Sequence, residues 1–273
     1  MEILANIELY PVVRFSPSDF EEVNYPFKTR VSENELYQYW KSILQKQGFP
    51  NLEPIKKGYH YVRACEIDDI SLETLIKHRL IDIAEYRCEV IEESQKSTVE
   101  LEAGITPTSL EGGVVFTAND KIIMTPQCCV SLQDHQEWTR IKPNNSFTRI
   151  WLGHPWIYYK TEGNSILFTR LIEKSFDGKT WKHYETKDNT MLLDASKVTQ
   201  KTAKAIDEND LKYIVDYSEM EEALANLQIT LDHFQLRIEQ IATQNGWINP
   251  TKLAHCFVNG NGEMLSYDQS DAE

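Results

Sequence analysis

No stretch of this chain approaches the run of about eighteen apolar residues that a membrane-spanning helix needs. No Lys/Arg-rich run appears either, and the formal charge is −14, from 42 acidic residues against 28 basic ones. Nucleic-acid binding takes most of its affinity from cations on phosphates, so the composition argues against that class. Cysteine is scarce and odd in number: Cys65, Cys88, Cys128, Cys129 and Cys256. In a long chain an odd count argues against a disulfide framework. The opening "MEILANIELYPVV" lacks a basic start and a long apolar core, so no secretory leader is expected and the cytoplasm is the expected location. Also missing are H-E-x-x-H, G-x-S-x-G, G-x-G-x-x-G and the phosphate loop.

What is present describes an ordinary globular protein. Hydrophobic residues make up 41% of the 273 and charged residues 26%, with six Trp, thirteen Tyr and ten Phe. That aromatic content requires a packed interior, because disordered chains are poor in aromatics. The expected architecture is α+β: a mainly antiparallel sheet covered by several helices, ending in a long amphipathic helix. A single domain over residues 1–273 is expected, with a helical C-terminal subregion at 190–250 as the alternative organisation.

The elements follow from local signals. "NIELYPVVRF" reads as an extended strand interrupted at Pro11. "SENELYQYWKSILQKQG" reads as a helix over 33–47, with Ser32 and Glu35 at capping-box spacing. Residues 59–67 read as a strand. Residues 71–83 read as a helix with Ser71 and Thr74 near its start, and "YRCEVIEE" with "STVELEAGI" as a hairpin. "VVFT" and "KIIM" flank the turn residues Ala118, Asn119 and Asp120. "WIYYKTEGNSILFTRLIE" turns at Glu162 to Ser165. The sheet is therefore expected from 59–67 and 85–173. After "FDGKTW" the chain turns polar, then helical. Asp207 to Asn245 reads as two helices or as one broken near Tyr217, with Ser218 and Glu221 at capping-box spacing and the main helix over 218–244. Its apolar seam, Leu224, Leu227, Leu231, Phe234, Ile238 and Ile241, fits packing on the sheet; a dimer zipper is the alternative.

Three features could carry chemistry. Cys128, Cys129, Asp134 and His135 are all metal-ligand types. Adjacent strand residues face opposite ways, however, and no C-x2-4-C pair occurs, so no metal site and no cofactor is expected. A thiol nucleophile at Cys128 or Cys129 would need a base, and His135 and His154 are the nearest in sequence. Buried free thiols are the plainer alternative. In "WLGHPWIYY", Gly153 permits unusual torsions and Pro155 restrains His154 between two tryptophans. That reads either as an aromatic-walled pocket with His154 at its mouth or as a strand-entry turn. Trp138, Trp151, His154 and Trp156 are the candidate binding residues.

"GGVVFTANDKIIMTPQCCVSLQDHQEW", followed by "RIWLGHPWIYY", resembles segments of small bacterial proteins (Gly112 to Tyr159 here). Some of those are similar to immunity proteins that neutralise polymorphic toxins. The resemblance implies an acidic cytoplasmic partner of a toxin, often a basic nuclease, and carries over no catalytic residue. Two functions are therefore expected in turn. One is a non-enzymatic protein binder with a basic protein partner such as a toxin. The other is an enzyme, a hydrolase or transferase, in which Cys128, Cys129, His135 and His154 converge on one pocket.

Overall fold

The computed structural model describes residues 1–17, 32–80, 109–127, 130–174, 181–184, 198–199, 206–247 and 249–260. Its strands are β1 (Glu2–Ile3), β2 (Glu8–Arg14), β3 (Tyr61–Arg63), β4 (Gly112–Ala118), β5 (Lys121–Met124) and β6 (Thr148–Ile150). They continue with β7 (Ile157–Glu162), β8 (Ser165–Thr169), β9 (Leu171–Lys174), β10 (Trp181–Tyr184), β11 (Val198–Thr199) and β12 (Leu211–Asp216). The helices are α1 (Glu33–Lys46), α2 (residues 69–80), α3 (His135–Thr139), α4 (Tyr217–Gln244) and α5 (Pro250–Asn259). The protein is α+β, with mainly antiparallel pairing and a long helix towards its C-terminal end. No helix among the described residues is long and apolar enough to cross a membrane.

The chain forms two compact units, each built from separated stretches. The first draws its described residues from 1–11 and 111–230, the second from 12–110 and 231–260. Strand β2 and helix α4 each contribute one part to one unit and one part to the other.

The first unit holds a five-stranded sheet in the order β1-β12-β8-β7-β6. Only the β1–β12 pair is parallel. Successive strand residues face opposite ways, so register decides the core. Tyr159 pairs with Phe168, which pairs with Tyr213, and Thr161 pairs with Ile166, which pairs with Val215. All six are buried. Phe116 on β4 packs at 6.0 Å from Phe168 and edge-on to Trp138 at 5.9 Å. In the β4–β5 hairpin, Asn119 and Asp120 have φ of 50° and 61°, the two left-handed residues of a type I′ turn. The β7–β8 turn has Gly163 at φ 58°.

In the second unit, the last residues of β2 pair with β3. Helix α1 starts as its sequence spacing predicts. Glu35 accepts from the Ser32 amide at 2.8 Å, and Ser32 Oγ accepts from the Glu35 amide at 3.3 Å. Trp40 is 2% exposed and donates its indole N–H to the Phe15 carbonyl at 2.7 Å. Arg237 of α4 is a clamp on the turn before α2, donating to the carbonyls of Ala64 and Ile67 and to the Asp69 carboxylate.

Several expectations need correction. Residues 211–216 are not helical. "LKYIVD" alternates buried and half-buried side chains and is β12, flanked by β1 and β8 in the five-stranded sheet. The 190–250 stretch thus holds β11 and β12 before α4 begins. The cap of α4 is Asp216, whose Oδ1 accepts from the Ser218 amide and hydroxyl and from the Glu219 amide; it is not a Ser218–Glu221 box. Helix α2 starts two residues earlier than expected, at 69, and Asp68 caps it, accepting from the Ser71 amide at 2.8 Å. Strand β2 runs through Pro11 without a break, and 59–67 is only a three-residue strand followed by a 3-10 turn at Ala64–Glu66. The expected hairpin around 94–96 lies outside the described residues. The α4 seam is buried within the chain at Leu227, Leu231, Phe234, Ile238 and Ile241, while Leu224 is half-buried.

Candidate functional site

The site follows from one register. Thr148 pairs with Tyr159, Arg149 with Tyr158 and Ile150 with Ile157. Continuing that ladder by one step sets Trp151 across from Trp156. Trp151 follows the last residue of β6 and is two residues from Arg149, so extending the strand's alternation puts both on one face, and Trp156 lies diagonally from Arg149. The side chains bear this out. The indole centroids of Trp151 and Trp156 are 6.2 Å apart, and the Arg149 guanidinium carbon lies 5.9 Å and 5.1 Å from them.

The four residues between the tryptophans carry His154. Gly153 takes φ 88°, a left-handed value that only glycine adopts at little cost, and the His154–Pro155 peptide is cis. The imidazole of His154 then returns over the pair, 5.0 Å from Trp151 and 5.1 Å from Trp156. His154 is exposed; Arg149, Trp151 and Trp156 are half-buried.

Backbone bonds fix the turn at three points. Leu152 accepts from the Gln127 amide at 2.6 Å, and Trp156 exchanges two bonds with Ile172 at 2.9 and 2.8 Å. The Trp151 amide donates to the Glu137 carboxylate at 3.4 Å. Trp156 packs against the core pair Tyr158 and Ile172, as do Phe147 and Ile206. Phe147 stands one ladder step beyond Thr148 and sits 5.6 Å from the ammonium of Lys160. Carboxylates of Glu162 and Glu208, each 2.6 Å away, hold that ammonium above the ordinary lysine range.

The other sequence candidates are distributed differently. Cys128 and Cys129 lie outside the described residues. His135 is 4% exposed, at the start of α3. The preceding 3-10 turn is capped by Asp134, which accepts from the Ser131 amide at 2.8 Å. Burial pushes the Asp134 carboxyl above its ordinary value, against the lowering effect of that bond. Trp138 is 1% exposed against Phe116, a core residue. Of the four binding candidates, Trp151, His154 and Trp156 therefore come together and Trp138 stands apart. Among the described residues no group of three or more His, Cys, Asp or Glu could hold a metal ion. Arg149 is absent from the sequence candidates. Its signal is the R-x-W spacing, which becomes legible only once 148–150 is known to be a strand.

Comparison of the chain with protein-family models, with curated proteins and with solved structures gives no significant match.

Proposed function

We propose that this chain is a non-enzymatic protein-binding protein of the toxin-neutralising immunity type, acting in the cytoplasm on a basic partner. Its contact surface is centred on Arg149, Trp151, His154 and Trp156. The observation that supports this reading is the anchored turn, which presents two tryptophans, an arginine and a histidine in one partly exposed cluster. Tryptophan and arginine dominate the energetics of protein interfaces, above all where they are held rigid before binding. The net charge of −14 supports a cationic partner, since complementary fields accelerate encounter and reject wrong partners.

The test is affinity for a basic protein that co-purifies from the native host, measured with wild type and with Trp151→Ala. Trp151 is half-buried at a turn, so its truncation leaves the core in place. Affinity is expected to fall roughly thirtyfold, the size of a strong interface contact. Protection of host cells from that protein falls in parallel. Equal affinity in the variant, with its circular dichroism unchanged, removes the surface from this role.

A further inference from the structure

We infer that Arg149 is a preorganised receptor for a carboxylate carried on an apolar or aromatic group. The inference deepens the protein-binding reading and rests on it for the role of the site. Among the described arginines, Arg63 meets Glu66, Arg140 meets Glu137 and Arg237 meets Asp69. Acids outnumber bases by 42 to 28, so partners are plentiful. Arg149 nonetheless has no carboxylate or carbonyl partner among the described residues; its guanidinium lies over the indoles of Trp151 and Trp156.

A guanidinium stacked on aromatic rings keeps its N–H edges available, because those bonds lie in its plane. The stack also limits the rotamers of a long side chain, and this lowers the entropy lost on binding. Two parallel N–H groups match the two oxygens of a carboxylate. A phosphate dianion fits the fork as well but meets about twice the repulsion from a chain of charge −14. The adjoining indoles supply an apolar wall for whatever bears the carboxylate, and His154 stands over the same indoles.

The probe is benzoate, titrated into the full chain while the indole N–H resonances of Trp151 and Trp156 are followed. Benzamide is its neutral isostere, and inorganic phosphate is the competing anion. Benzoate is expected to saturate the shifts at about tenfold lower concentration than benzamide, with phosphate weaker than benzoate. Arg149→Gln brings benzoate down to the level of benzamide. Arg149→Lys, which keeps the charge and loses the fork, falls between. Equal binding of benzoate and benzamide, unchanged binding in Arg149→Gln, or phosphate binding tighter than benzoate overturns the inference.

The two sources of a carboxylate are separated by competition. If benzoate displaces the protein partner and Arg149→Gln weakens it, the carboxylate belongs to the partner. If benzoate binds but leaves the partner untouched, the ligand is a free organic acid. In that case the carboxylate site stands while the protein-binding reading of this surface fails.

Discussion

His60 shows how one residue couples folding to acidity. Its carbonyl accepts from the Phe15 amide, and burial beside Arg14 lowers its imidazole from 6.5 to about 4. The folded chain therefore keeps His60 neutral where the unfolded chain has already taken up a proton. Stability is full above pH 6.5 and is lost as pH falls towards 4, by about 3 kcal/mol in all. Urea midpoints at several pH values in that window should fall more steeply for wild type than for His60→Gln; parallel slopes would contradict this. Gly113 governs stability through space rather than charge. Its φ is 146°, and an added Cβ would lie 2.9 Å from Pro126 Cγ. Gly113→Ala is expected to cost about 1–3 kcal/mol, read as a lower denaturation midpoint.

At the scale of elements, punctuation decided what could be read in advance. Asn119-Asp120 and Gly163 mark their hairpins plainly, because turn positions with positive φ demand those residue types. Ser32 and Glu35 marked α1 in the same way. Strand β12 was illegible for the opposite reason. It passes into α4 with no loop between Asp216 and Tyr217, so a period of two merges into a helical period and looks like one helix. Asp216 ends the strand and caps the helix at once. Asp216→Ala is expected to cost about 1 kcal/mol, with Ser218→Ala well below that. Matched thermal melts of the two variants test the assignment, and a larger loss for Ser218→Ala would reverse it. The site was half legible. Trp151, His154 and Trp156 stand close in sequence, whereas Arg149 enters only through strand register.

For the molecule as a whole, charge sets how partners arrive. An excess of fourteen negative charges attracts cations over a screening length of about 10 Å at 0.1 M salt. Association with the proposed basic partner should slow roughly tenfold or more between low and high salt, while dissociation changes little. Stopped-flow rates across a salt series measure both, and an association rate indifferent to salt would exclude a charge-steered encounter.

The anchoring of the tryptophan turn has a genetic consequence. Gln127, Glu137 and Ile172 hold it from three separate places in the chain, and none belongs to the exposed cluster. A random screen for lost binding should therefore recover changes at Glu137, the one anchor that acts through its side chain, alongside changes at Arg149 and Trp151. Glu137→Ala would look like a contact mutation while touching no ligand, and Arg149→Gln would look like a surface change while removing the recognition itself. A map drawn from phenotype alone would spread the site across distant segments, and the hydrogen bonds to Trp151, Leu152 and Trp156 are what draw those positions back to one turn.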